Sequence, residues 1–198
     1  MAGGVAHWIN PTNIYTSNNA YAVNVLMAGQ KTHWLRATTF GFTIPDGATI
    51  DGIKAEVEKK AGSAGMIRDE SVKIVKAGSE QGNDKFNPVF WTTTDTYISY
   101  GGAADLWGLG WTVANINAAN FGVSLSAYYP AGDFPVAASV DHIRITVYYT
   151  EVALTNMKIN IGDSWKDVDE IKINVGDSWK TVTRIQINIG DVWKTIFG

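Results

Sequence analysis

Glu56 and Glu58 stand two positions apart in Ile53-Lys-Ala-Glu-Val-Glu-Lys-Lys60, where apolar and polar residues alternate. That period is the period of a strand, with Ile53, Ala55 and Val57 inward and Lys54, Glu56 and Glu58 outward. Two carboxylates on one face are what glycoside hydrolysis requires, one as general acid and one as base or nucleophile. Lys54, Lys59 and Lys60 lie close by, and the preferred reading is a solvated, salt-bridged face. Asp69 and Glu70, with Asp84 or Asp95, offer oxygen ligands for Ca²⁺, but no loop of EF-hand pattern holds them. His7, His33 and His142 lack the spacing of a zinc site. Asp141-His142 pairs an acid with a base, yet neighbours on a strand point to opposite faces and cannot touch. His142 is expected to pack or to hydrogen-bond locally. Gly101-Gly102 and Gly108/Gly110 show no phosphate-loop pattern and read as turns beside packed tryptophans. The chain has no cysteine, which excludes disulfides and thiolate chemistry. No catalytic residue, no metal site and no cofactor is expected.

The aromatic residues carry more weight. Trp91, Tyr97, Tyr100, Trp107, Trp111, Tyr128, Tyr129 and Phe134 gather in the 90–135 half. Exposed at one end of a sandwich, Trp91, Tyr100, Trp107, Trp111, Tyr128 and Tyr129 would stack on sugars or anchor a protein partner. The preferred alternative is that such rings fill the core of a glycine-rich sandwich.

The elements that would position these residues are strands. Hydrophobic residues make up 45% of the chain and charged residues 18%, the balance of a globular protein. Glycines and aromatics are plentiful and strong helix formers sparse, which favours an all-β fold. Strands are expected at 21–27, 33–42 (with a bulge near Gly41), 53–60, 72–76, 96–100, 121–127 and 140–149. Residues 78–84 and 134–138 read as loops, and Leu106–Trp111 as an aromatic-glycine segment. Thr112 caps a single helical turn over Val113–Asn117. About eight strands at this spacing suit a sandwich, and the long loops suit a jelly roll, over residues 1–151.

Residues 152–198 are of another kind. Met157-Lys-Ile-Asn-Ile-Gly-Asp-Ser-Trp-Lys166 recurs as Ile171–Lys180 and Ile185–Lys194. Gly162, Gly176 and Gly190 fall in register, as do Trp165, Trp179 and Trp193, the mark of stacked structural units. Each Gly-Asp or equivalent suits a two-residue hairpin turn. The turn sets Ile161 opposite Ser164, Ile159 opposite Lys166, Met157 opposite Val168 and Lys158 opposite Asp167, with Asn160 and Trp165 sharing a face. Asp169-Glu170 and Thr183-Arg184 are the turns between hairpins. A lone hairpin is marginal in water. The three must therefore pack on one another as a prism or on neighbouring chains, through Ile159, Ile161, Trp165, Ile173, Val175, Trp179, Ile187, Ile189 and Trp193. A sugar-stacking ladder of the three tryptophans is the less favoured alternative.

Net charge is −3, with no basic cluster, so a nucleic-acid partner is not expected. The N-terminal residues have no signal-peptide pattern, and no apolar run reaches the roughly 20 residues of a membrane span.

The 8–150 region resembles a β-sandwich module common in phage virion proteins and some bacterial surface proteins. The resemblance rests on Trp8…Asn10-Pro11, Leu35-Arg-Ala-Thr38…Phe40-Gly-Phe-Thr-Ile-Pro45, Gly47-Ala-Thr-Ile50…Gly52-Ile53, Asp69…Ser71-Val72, Asp105-Leu-Trp-Gly108, Asn120-Phe-Gly-Val123 and Val140–Thr150. The C-terminal repeats are similar to Lys-Val-Gly-Gly-x-Trp-Lys units near the ends of phage tail and head-appendage proteins, with Asn-Ile/Val-Gly-Asp replacing Val-Gly-Gly. The resemblance implies a non-enzymatic virion protein made in the host cytoplasm, with other virion proteins as partners and a homotrimer as the favoured state. A capsid decoration or head fibre is expected ahead of a tail fibre. The alternative is a carbohydrate-binding module that recognises host glycans.

Overall fold

The computed structural model describes residues 6–151 and, beyond them, 158–161, 164–167, 171–175, 178–182, 185–189 and 192–197. The chain divides into two units, residues 1–42 with 50–148, and residues 43–49 with 149–198.

Eight strands make up the first part: β1 (Ala22–Leu26), β2 (Leu35–Thr38), β3 (Thr49–Ala61), β4 (Arg68–Lys76), β5 (Ser79–Gln81), β6 (Thr96–Gly102), β7 (Gly122–Tyr128) and β8 (Val136–Thr150). They form two four-stranded sheets in the orders β1-β8-β3-β6 and β2-β7-β4-β5. The pairs β1–β8, β2–β7, β3–β6 and β4–β5 are all antiparallel and nest one inside the next. One long hairpin rolled up on itself gives this arrangement, which is the jelly roll. The fold is thus all-β, an antiparallel sandwich.

Alternation decides which side chains enter the core. On β3, Ile53, Ala55 and Val57 are buried and Lys54, Glu56 and Glu58 face outward, as the period requires. The same parity carries Lys59 inward, so it does not belong with Lys54 and Lys60 on the solvated face. Three other expectations need correction. Ser79–Gln81, in the expected 78–84 loop, is β5, a short polar strand paired with β4 from Ile74 to Lys76. The expected 134–138 loop gives way to β8, which begins at Val136 because Leu26 to Ala22 on β1 pair with Val136 to Val140. The expected second strand stops at Thr38; Thr39, a β-branched residue, has positive φ, which breaks the extended run.

Trp107 anchors the far end of the body. It is fully buried, and its indole N–H donates to the Ile53 carbonyl at 2.9 Å. Gly101 makes room for it. Its φ is +73°, and a Cβ there would lie 2.3 Å from Ile53 O and 2.7 Å from Trp107 Nε1. The helical turn α1 (Val113–Asn117) begins where Thr112 was expected to cap it. Thr112 Oγ1 accepts from the Asn115 amide, and the Asn115 side chain accepts from the Thr112 amide, each at 3.2 Å. The outer edge of β1 is partly covered. Ile9 and Val23 exchange two backbone hydrogen bonds of 2.8 and 3.0 Å, which blunts an edge open to strand pairing.

Candidate functional site

The C-terminal repeats form three antiparallel hairpins: β9 (Lys158–Ile161) with β10 (Ser164–Asp167), β11 (Lys172–Val175) with β12 (Ser178–Thr181), and β13 (Ile185–Ile189) with β14 (Val192–Phe197). The register is the same in each. Trp165, Trp179 and Trp193 stand opposite Asn160, Asn174 and Asn188. Lys166, Lys180 and Lys194 stand opposite Ile159, Ile173 and Ile187. The expected pairings Ile161–Ser164, Ile159–Lys166 and Lys158–Asp167 are all present. Ile161, Val175 and Ile189 close the first strand of each hairpin. Among the described residues each hairpin is a two-stranded sheet of its own. The Gly-Asp turns at 162–163 and 176–177, Gly190-Asp191, the Met157–Val168 pairing, and the turns at 169–170 and 183–184 lie outside the described residues.

The six aromatic residues expected to contact a ligand or partner are divided by burial. Trp91, Tyr100, Trp107 and Tyr129 lie in the core, where a sugar would find no ring face to stack on. Their polar atoms are spent internally: Trp91 N–H and Tyr100 O–H donate to Asp69, and Tyr129 O–H donates to Phe134 O at 3.1 Å. Trp111 and Tyr128 are half-buried. Trp111 meets Phe121 edge-on at 5.4 Å and lies under the Lys76 ammonium at 5.1 Å. The Tyr128 ring has Lys31 and Arg68 over it, each at 5.3 Å. Exposed apolar residues include Phe134 of the expected group, Ile9, Val25 and Met27 near β1, and the 86–90 loop, where Phe86, Val89 and Phe90 are 49%, 68% and 41% exposed. Sequence reasoning missed this loop because an exposed phenylalanine looks like a buried one until the fold is known.

On the Glu56–Glu58 face, Glu56 is held by cations, whereas Glu58 Oε2 is buried without a hydrogen-bond partner. Arg144 grips Glu56 through two hydrogen bonds of 3.0 and 3.3 Å, and Lys54 Nζ lies 3.2 Å from the same carboxylate. The Arg144 hydrogen bond, opposed by burial and aided by Lys54, holds the Glu56 carboxyl below the ordinary glutamate value. That is the wrong direction for a general acid. The Arg144 guanidinium sits 4.4 Å over the Tyr97 ring, and the Tyr97 hydroxyl lies 2.8 Å from His142 Nδ1. His142 thus bonds locally, while the Asp141 carboxylate, buried, accepts from the Asn19 amide at 3.1 Å.

The acidic residues considered as cation ligands are dispersed. Glu70 pairs with Lys31, Asp84 accepts from the Val72 amide at 2.9 Å, and Asp95 lies 3.1 Å from Lys60. Among the described residues no group of three potential ligands converges. His7 and His33 stack at 4.0 Å, apart from His142.

The most unusual chemistry is at Asp69. It lies on β4 facing the core and meets Lys59 of β3; their side chains are 0% and 2% exposed. Lys59 Nζ bonds to Asp69 Oδ1 and to the Tyr100 hydroxyl. Tyr100 O–H donates to Asp69 Oδ2 at 2.7 Å, Trp91 Nε1–H to Oδ1 at 2.8 Å, and the Asn87 amide to Oδ2 at 2.9 Å. Burial lowers the Lys59 pKa against the attraction of Asp69, and burial followed by the Asp69 charge raises that of Tyr100. The signal was present in the sequence: Lys59 follows Ile53, Ala55 and Val57 on the same parity.

No known protein family, no curated protein and no solved structure matches this chain.

Proposed function

We propose that this protein is a non-enzymatic structural component of a phage virion, a capsid decoration or head-fibre subunit, and that its C-terminal hairpins join protomers, with a homotrimer as the favoured state. One observation carries the assembly part: three successive hairpins of identical register, each a separate two-stranded sheet among the described residues. Two-stranded sheets with strands this short do not persist alone in water and gain stability by packing on others. Repetition of one packing unit suits a symmetric oligomer. The virion setting rests on the sequence resemblance. The body supports a scaffold role, since Glu56, one of the two carboxylates on the β3 face, is neutralised by Arg144 and Lys54. The glycan-binding alternative loses Trp91, Tyr100, Trp107 and Tyr129 to the core.

Native mass of the full chain and of a chain ending at Thr150 tests the reading. A trimeric full chain with a monomeric truncation is the expected result. Two monomers would sink the oligomer, and two trimers would move the interface to the jelly roll.

A further inference from the structure

The Lys59–Asp69 contact lies between the two sheets of the sandwich, because β3 belongs to one and β4 to the other. The amine rests against a carboxyl group whose two oxygens are both held by N–H or O–H donors. The Trp91 and Tyr100 rings wall the site, with centroids 4.6 and 5.1 Å from Nζ. A nucleophile in contact with an electrophile, both side chains buried, is a reactive arrangement rather than an ordinary ion pair.

We propose that Lys59 and Asp69 condense to an intramolecular amide, a covalent cross-link between the two sheets. This goes beyond the assembly role and does not rest on it. A proton first passes from the Lys59 ammonium to the Tyr100 hydroxyl, which gives its own proton to Asp69 Oδ2, leaving an amine and a carboxylic acid. A low-dielectric interior tolerates that neutral pair better than two charges, and burial already biases Lys59 toward the amine. The nitrogen lone pair then attacks Asp69 Cγ and forms the C–N bond. The C=O π pair moves onto Oδ1, where Trp91 Nε1–H stabilises the developing charge as an oxyanion hole does. The Tyr100 hydroxyl, bonded to both Nζ and Oδ2, takes a proton from nitrogen and delivers its own to Oδ2. The C–Oδ2 bond breaks with its electron pair, Oδ2 leaves as water, and the C=O bond to Oδ1 reforms. Nothing is oxidised or reduced. Amide formation is uphill in bulk water, but groups held in contact reach effective concentrations of about 10⁵–10⁸ M, and both side chains are buried. A pocket of about 90 Å³ that Lys59 and Trp91 line together with the exposed Val89, Phe90 and Thr92 adjoins the pair and gives the released water a way out.

Intact-mass spectrometry of the full chain, followed by tryptic mapping, tests the cross-link. The expected mass is one water below that of the sequence. The expected digest contains a branched peptide joining Ala55–Lys60 to Asp69–Lys73, uncut after Lys59. Asp46-Gly47 and Asp51-Gly52 can each lose water as a succinimide, so the position of the loss decides. The full sequence mass after prolonged incubation of the folded protein, or a loss that maps to either Asp-Gly pair, overturns the proposal. Lys59→Arg is expected to show the full mass; a Lys59→Arg chain that still yields the branched species would overturn it too. Tyr100→Phe keeps the pair and removes the relay, so the dehydrated fraction should rise at least tenfold more slowly, by the usual contribution of a positioned acid–base group. An unchanged rate would remove Tyr100 from the step.

Discussion

In the jelly-roll body strands find partners far along the chain, Ala22 with Val140 and Leu35 with Leu125, whereas the C-terminal hairpins pair Ile161 with Ser164 and Val175 with Ser178. The body therefore closes long loops before its contacts form, and recovers that cost by burying Trp107, Phe121, Leu125 and Tyr129. The hairpins close almost no loop, but a two-stranded sheet with strands this short buries little. One region holds itself together from within. The other is easy to form and needs a partner surface to persist. On the proposed reading the chain separates stability from assembly, and substitutions should be able to strike one without the other.

The largest effect is expected at Asp69. Asp69→Ala leaves the Lys59 ammonium, the Trp91 and Asn87 N–H groups and the Tyr100 hydroxyl without their acceptor in the core. Breaking a buried pair from one side costs about 3–5 kcal/mol. The urea midpoint of the body should fall accordingly, and by the same amount in the full chain as in a chain ending at Thr150. A loss seen only in the full chain would mean that the hairpins support the body, and the separation would fail.

The contrast between the two regions also marks what could be read from the sequence. The hairpin registers beside the turns were legible, because a two-residue turn and a strict repeat leave few alternatives, but the shift between Ile185 and Gln186 in the third hairpin was not. Thr112 and the helical turn after it were legible for the same local reason. The alternation on β3 was legible up to Val57 and was then lost at Lys59, where the charge of the residue outweighed its parity. A buried lysine becomes reasonable only when Asp69, Tyr100 and Trp91 are known to converge on it, and those residues come from β4, β6 and the loop between β5 and β6. β5 was hidden because Ser79-Glu-Gln81 is a short polar edge with no apolar face to announce it. The nested order of the strands lies in no local pattern at all, since the residues that pair are separated by most of the body.

A smaller effect on stability, but a decisive one on assembly, is expected at Asn174. It pairs with Trp179 in the middle hairpin at a position where the alternation set by the Val182 N–H to Ile171 carbonyl bond turns its amide away from β12, and Asn174→Pro removes that outward N–H, which a further strand would need. The subunit number of the full chain should drop, while the urea midpoint of the body moves by no more than about 0.5 kcal/mol equivalent, the range of substitutions outside a core. Native mass and urea titration on one preparation give both numbers. An intact oligomer would take the middle hairpin out of the interface.

The smallest effect is expected from acid, and its sign follows from Glu56. The Arg144 hydrogen bond keeps the folded carboxyl below the ordinary value of 4.5, so folding favours the ionised form. The resulting stability is complete above that ordinary value, declines as the pH falls below it, and is gone once the pH has passed the folded value. Glu56→Gln should therefore differ most from the parent chain at neutral pH and converge with it in acid. Arg144 is half exposed at this pair, so water screens the interaction and the difference stays at the low end of what a salt bridge gives. Because the pair belongs to the body, the subunit number should hold through the pH range in which the urea midpoint shifts. If subunits separate with the same pH midpoint as the Glu56 effect, body and hairpins respond as one unit, and their division into a self-sufficient region and a dependent one no longer stands.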